Sequence, residues 1–228
     1  MTRPTAVITG ASRGIGRAIA LRLAADYHIV AAARSTAELD ALAAEIAAHG
    51  GTCTPVGLDI ADPDAVARAL GGMAADVLVN NAGIGILKPL LELTPQEWHR
   101  QVDVNFNALF HVTRALLPGM VARRRGHVVI IGSIAGRSAF PGGTAYAATK
   151  HAVMGFAECL MLEVRDQGVK VSVVSPGGVA TAFGDGDPAS KGWALRPDDV
   201  AAAVAHVLAT PPNVLVHRVE VRALAKKG

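Results

Sequence analysis

TAVITGASRGIGRAIALRLAA, residues 5–25, decides how the rest of the chain is read. Its first five residues are a short β-rich run, Gly10 to Gly16 form a glycine-spaced turn, and Arg17 to Ala25 follow a helical pattern. A strand that ends in a glycine turn and opens into a helix is the context a dinucleotide-binding fingerprint requires. Gly10, Gly14 and Gly16 let the backbone turn tightly and approach a pyrophosphate, whose charge meets the amides and positive dipole at the helix start. The spacing is Gly-x-x-x-Gly-x-Gly rather than Gly-x-Gly-x-x-Gly.

Outward from that segment, strand-like apolar runs at 5–9, 28–33, 52–58, 76–80, 127–132, 169–175 and 214–221 alternate with helical patterns. The helical patterns fall at about 14–25, 36–49, 62–71, 95–123, 144–166 and 197–209. Such alternation implies right-handed crossovers and a parallel sheet covered on both faces. The expected architecture is therefore α/β, a doubly wound sheet of seven strands ordered 3-2-1-4-5-6-7. Pro95 and Pro197 suit the first turns of their helices. The last run, VLVHRVEV, alternates in a way that equally describes an edge ribbon. No Pro/Ser-rich linker, low-complexity tract or sustained repeat interrupts the chain, so residues 1–228 read as a single domain.

In a sheet of this kind, ligands bind outside the carboxyl ends of the strands, near the point where strand order reverses. The polar motifs gather at those ends. Gly10 to Gly16 follow the first strand, Asp59 the third, Asn80 to Gly83 the fourth, Ser133 the fifth, and Pro176-Gly177 the sixth.

Ser133, Tyr146 and Lys150 add a chemistry, in the runs IIGSIAG and TAYAATK. Tyr146 and Lys150 are four apart and project from one helix face. A tyrosine hydroxyl, with a pKa of about 10, exchanges protons poorly at neutral pH. An ammonium beside it favours the phenolate and makes it a usable general acid or base. Ser133 stands where a strand opens into the crevice and can hydrogen-bond a substrate oxygen. Singly, each has a plainer reading: a strand-end serine bonding its own backbone, a half-buried aromatic, a solvated helix charge.

Together, and in this order, these motifs resemble the short-chain dehydrogenase/reductase family, from Thr5 to about Arg222. The resemblance implies a Rossmann-type fold and an enzyme that interconverts a carbonyl and a secondary alcohol of a small molecule by hydride transfer. Tyr146 would protonate the developing alkoxide and Ser133 steady the oxygen, while Lys150 binds the nicotinamide ribose and depresses the tyrosine pKa. Asn105, in VDVNFNA, matches the family's active-site asparagine, which holds a water in a proton relay to the lysine. Its plainer reading is a polar residue that kinks a helix. Among cofactor contacts, Ser12, Arg13 and Ile15 lie within the glycine turn, and Asp59 and Ile60 match the pair at the adenine ring. Asp59 also reads as a loop carboxylate or local cap. Asn81, Ala82 and Gly83 support the cofactor, and Pro176, Gly177, Val179 and Thr181 match the segment that receives the nicotinamide amide.

The cofactor's second phosphate is legible more directly. An NAD enzyme of this architecture places an acid at the end of the second strand for the adenine ribose. Here that strand reads HIVAAARST, with Ala33 at the position, Arg34 next, and no acid before Glu38. Arg34 and Arg13 can converge on a 2′-phosphate, which suits the planar guanidinium fork. NADP(H) is the cofactor expected. The substrate is expected under a short lid at about 181–197, with Phe183 and Trp193 as apolar contacts and Gly85, Ile86, Phe140 and Gly178 nearby. Phe183 and Trp193 equally suit plain packing.

Two rival functions remain. A 3-oxoacyl thioester reductase would be supported by a docking patch around Arg123 to Arg125, and a noncatalytic NADP(H)-binding regulator is opposed by the presence of both Tyr146 and Lys150. Assembly is expected too. The 95–123 and 144–166 helices carry apolar residues on more than one face (Phe106, Leu109, Phe110, Met154, Phe156, Leu160, Met161), which marks deep burial or an interface. The family's matching helices pair between subunits, so a homodimer or homotetramer is anticipated.

Composition narrows the other classes. With 51% hydrophobic and 18% charged residues, the 228-residue chain has ample apolar material for one core. The formal charge is only +3, and no basic stretch is interleaved with aromatics, so no nucleic-acid partner is expected. Cys53 and Cys159 read as buried thiols in a reducing compartment. The eight histidines include no HExxH and no tight cluster, so no metal site is expected. The opening apolar run is too short for a signal peptide and no run is long enough to span a bilayer, which predicts a cytoplasmic protein with no membrane partner.

Overall fold

The computed structural model describes residues 3–185, 189 and 192–224. Seven strands form one sheet: β1 (Thr5–Thr9), β2 (His28–Ala33), β3 (Thr52–Gly57), β4 (Val77–Asn80), β5 (Gly126–Ile131), β6 (Val169–Pro176) and β7 (Arg218–Val221). Their order is β3-β2-β1-β4-β5-β6-β7, and every pairing is parallel. The order reverses between β1 and β4, which opens a crevice at their carboxyl ends.

Among the described residues, seven α-helices cover the two faces: α1 (Gly14–Leu23), α2 (Thr36–Ala48), α3 (Pro63–Leu70), α4 (Pro95–Val102), α5 (Ala108–Ala122), α6 (Thr144–Val164) and α7 (Pro197–Leu208). Successive strand residues point to opposite faces, so β1 sends Ile8 to one core and Val7 to the other. Ile19 of α1, Leu42 of α2 and Val204 of α7 share the Ile8 core. Leu70 of α3, Leu116 of α5 and Val153 of α6 share the Val7 core. Burial on both faces explains why the strands read as nearly continuous Val, Ile and Ala.

Local chemistry sets the helix starts. The Asp62 side chain accepts the N–H groups of Asp64 and Ala65 and caps α3. Thr94 and Glu97 form a reciprocal capping box before α4, with Pro95 in the first turn.

The structure departs from the sequence reading in several places. The 95–123 segment is not one α-helix, because Asp103–Asn107 between α4 and α5 is a π-helical turn. Such turns are rare and concentrate at functional sites. β7 is shorter than 214–221: Val214 N–H closes a turn on Pro211 O, and pairing with β6 starts at Arg218. Cys159 is exposed, because α6 buries Ala157 and Leu160 and turns residue 159 outward. Among the described residues, no helix is long and apolar enough to cross a membrane, and no group of three or more His, Cys, Asp or Glu is placed to hold a metal ion.

Candidate active site

At the carboxyl end of β1 the chain reverses through Gly10 (φ 66°) and Gly14 (φ 57°), in the left-handed region that glycine tolerates. Gly16 is required by contact instead. A Cβ there would lie 2.3 Å from Gly10 O and 2.5 Å from Asn81 Nδ2. The turn is pinned from β4. Asn81 Nδ2 donates to Thr9 O at 2.9 Å and Gly10 O at 3.2 Å, and Thr9 Oγ1 accepts from the N–H groups of Asn81 (3.0 Å) and Ala82 (3.1 Å). The first turn of α1 has no acidic residue and no side-chain cap, so its amides keep their positive potential.

Arg13 and Arg34 flank this turn, and both are exposed. Neither guanidinium has a hydrogen-bond or ion-pair partner among the described residues, whereas that of the nearby Arg17 is tied to Glu45. Ala33 lies buried at the end of β2. Ser12 and Ile15 are half-buried in the turn, and Ile15 packs against the Ile8 core. A turn closed to a Cβ at Gly10 and Gly16, unneutralised amides and two guanidinium groups without a partner among the described residues fit an anionic dinucleotide with an extra phosphate. Asp59 is exposed and caps its own turn, Oδ1 accepting Ala61 N–H at 3.0 Å, while Ile60 is buried.

Ser133 follows β5. Its Oγ accepts Ala135 N–H at 3.1 Å, as the plainer reading anticipates, and its hydroxyl lies near enough to the Tyr146 phenol to lower that group's pKa. Lys150 Nζ lies 5.9 Å from the centre of the Tyr146 ring and donates to Ile131 O at 2.9 Å. Burial pushes the Tyr146 phenol above its usual 10, and the Ser133 hydroxyl partly opposes this. Burial also lowers the Lys150 ammonium to about 8. The anticipated depression of the phenol by Lys150 is therefore not seen in this arrangement. The ammonium's hydrogen bond goes to a backbone carbonyl, and desolvation dominates both groups.

The π turn aims Asn105 sideways. Its Oδ1 accepts Ile84 N–H at 2.8 Å, and Nδ2 donates to Ile84 O at 2.9 Å and Thr149 Oγ1 at 3.2 Å. Thr149 Oγ1 in turn donates to Tyr146 O at 2.8 Å. Both Nδ2 protons are thus committed to protein, so Asn105 positions the loop after β4 as well as bordering the site. A cavity of about 10 Å³, the size of one water, lies between Asn105 and Lys150. Sequence reasoning missed Gln101, fully buried one turn earlier, whose Oε1 accepts Ile86 N–H at 2.6 Å. The spacing of two amides four apart on a helix was the available signal. Thr9 and Thr149 carried no comparable signal.

After β6, Gly177 N–H donates to Val221 O at 2.8 Å, and Val179 bridges to Leu195. The Trp193 ring lies on Gly178, where a Cβ would meet Cη2 at 2.8 Å. Thr181 passes Gly14, whose Cβ would lie 3.4 Å from Thr181 Cγ2, so the segment after β6 reaches the glycine turn. The Phe183 ring sits on Gly85 with its centroid 5.4 Å from that of Tyr146. Phe140 instead packs on Gly143 at the start of α6. The lid residues 186–188, 190 and 191 lie outside the described residues.

Comparison with known proteins gives the family. Residues 4–191 match the family model for short chain dehydrogenases. The chain is 35% identical over 232 residues to the NADP-dependent 3-hydroxy acid dehydrogenase YdfG of Salmonella typhi, covering 94% of this chain and 92% of that protein. It is 38% identical over 188 residues to a 3-oxoacyl-[acyl-carrier-protein] reductase of Synechocystis, covering 79% and 76%. The structure of an alcohol dehydrogenase from the archaeon Thermococcus sibiricus, complexed with 5-hydroxy-NADP, superposes with a TM-score of 0.91 at 33% identity, covering 99% of both chains.

Proposed function

The chain belongs to the short-chain dehydrogenase family, and on that premise we propose that Tyr146, Ser133, Lys150 and Asn105 carry out an NADP(H)-dependent interconversion of a small-molecule carbonyl and secondary alcohol. The observation that carries this reading is the meeting, at one sheet end, of Ser133, Tyr146 and buried Lys150, whose Nζ lies 5.9 Å from the Tyr146 ring centre, with the glycine turn nearby. The bound nicotinamide supplies the hydride or accepts it. Tyr146 gives its proton to the carbonyl oxygen as negative charge builds there, and Ser133 donates a hydrogen bond to the same oxygen. Lys150 steadies the resulting phenolate and holds the nicotinamide ribose, and Asn105 borders the cavity through which the proton is replaced. Alcohol oxidation reverses these roles.

Gly10, Ser12, Gly14, Ile15 and Gly16 hold the pyrophosphate, and Arg13 and Arg34 take the 2′-phosphate. Asp59 and Ile60 flank the adenine, Asn81 to Gly83 the adjoining ribose side, and Pro176, Gly177, Val179 and Thr181 the nicotinamide. The NADP-dependent relative from Salmonella and the NADP-type ligand in the archaeal structure support this cofactor. The thioester-reductase reading keeps the support of the Synechocystis relative, and Arg123 to Arg125 stay exposed. Arg123 donates to Ala75 O, Arg124 to Asp166 O and Arg125 to Asp76, so the basic run ties loops of its own chain.

We read the chain as one cytoplasmic domain. Phe110 on α5 and Leu162 on α6 are about half exposed, and they favour a homodimer or homotetramer built on those helices. A monomer mass by light scattering at micromolar concentration would refute that assembly. For the chemistry, Tyr146→Phe should keep folding and NADPH binding while turnover drops by about a hundredfold or more. Retention of most activity would overturn the assignment.

A further inference from the structure

Phe183 and Gly85 form a pair that the reaction alone does not require. Phe183 is 38% exposed, yet its ring is tilted 60° against Tyr146 at a centroid distance of 5.4 Å. That distance lies within the direct-contact range for aromatic pairs, about 4.5–7 Å, so nothing fits between the two rings. The ring rests on Gly85. A Cβ at that position would lie 2.3 Å from Phe183 Cε1 and 2.6 Å from Cζ, and the other nearby atom is also of this ring. Gly85 is therefore glycine to seat a side chain. Gly184, with φ 66°, brings the next residue down on the same loop, 3.5 Å from Gly85 O and 3.6 Å from Leu87 Cδ1 as measured from an added Cβ. The Phe183 ring and the Gly184 backbone thus both lie close to residues 85–87.

We propose that Phe183, seated on Gly85, determines substrate size: it closes one flank of Tyr146 and restricts the bulk of the carbonyl substituent on that flank. The inference rests on Tyr146 being the proton donor, and it adds which side of the carbonyl is restricted and by what. A larger group reaches the hydroxyl after the ring leaves its seat. Gly85→Ala pushes against the edge of a movable side chain and not against backbone, so it should unseat Phe183 and mimic Phe183→Ala. The covered face of the phenol also contributes to the burial that raises its pKa.

Two readouts test this. The chain has two tyrosines, so in a Tyr27→Phe background the ultraviolet phenolate signal belongs to Tyr146. Phe183→Ala and Gly85→Ala should each move that titration down toward 10. With NADPH, the ratio of kcat/KM for benzophenone to that for acetophenone should rise about tenfold or more in both variants. An unchanged phenolate titration, or a ratio within about twofold of the unmodified protein, would overturn the proposal. If Tyr146→Phe kept its turnover while the ratio still shifted, the proton-donor assignment would fall and the size selection would stand.

Discussion

Lys150 is held in the proposed active site against the interest of the fold, and replacing it with methionine should make the protein more stable and inactive. Burial lowers the ammonium from 10.5 to about 8. At about 1.36 kcal/mol for each pKa unit, the folded state carries a penalty of about 3 kcal/mol at neutral pH. The hydrogen bond from Nζ to Ile131 O is lost in the variant, and a bond from a charged group contributes roughly 1.5–3 kcal/mol. Methionine keeps the length and apolar stem, so a net gain of about 1 kcal/mol remains, or about 2–4 °C in Tm for a chain of this size. The pH dependence separates this cause from better packing. The unfolded chain binds the proton more tightly than the folded one between pH 8 and 10.5. The penalty is therefore full below pH 8 and fades as pH rises to 10.5. Thermal melts of cofactor-free unmodified and Lys150→Met proteins at pH 7 and pH 10.5 provide the assay. A lower Tm for the variant at pH 7, or an equal gain at both pH values, would refute the reasoning.

At the other end of the sheet, His127 is buried and its Nε2 meets Ser172 Oγ at 2.8 Å. Burial first, and Lys170 second, lower it from 6.5 to about 4. The unfolded chain takes up the proton below 6.5, so stability should fall as pH drops from 6.5 toward 4, by up to about 3 kcal/mol. Urea melts across that window should show a flatter acid limb for His127→Gln, and identical limbs would count against this residue. For the cofactor, two charged contacts to a 2′-phosphate predict NADPH over NADH by roughly a hundredfold or more in kcat/KM. Ala33→Asp with Arg34→Ile should erase or reverse that preference. Equal use of both cofactors by the unmodified protein would show that Arg13 and Arg34 do not select.

Local pattern was enough for the architecture. Glycine spacing at 10, 14 and 16, Val/Ile-rich runs and Asp62 or Thr94 before their helices each act over a few residues and placed the elements, and the strand–helix alternation, which admits few right-handed topologies, gave the strand order and the crevice. It also put Ser133, Tyr146 and Lys150 on facing elements, because a four-residue helical spacing fixes a shared face. What depends on residues far apart in the chain needed the tertiary structure. The π turn that aims Asn105 at Ile84, the Thr9–Asn81 clasp and the seating of Phe183 on Gly85 join positions that no periodicity links. Protonation was decided there too. An ammonium four residues from a phenol predicts a lowered tyrosine pKa, but burial of both groups and the Ile131 carbonyl reverse that expectation. Desolvation is set by everything packed around a group, and sequence spacing does not encode it.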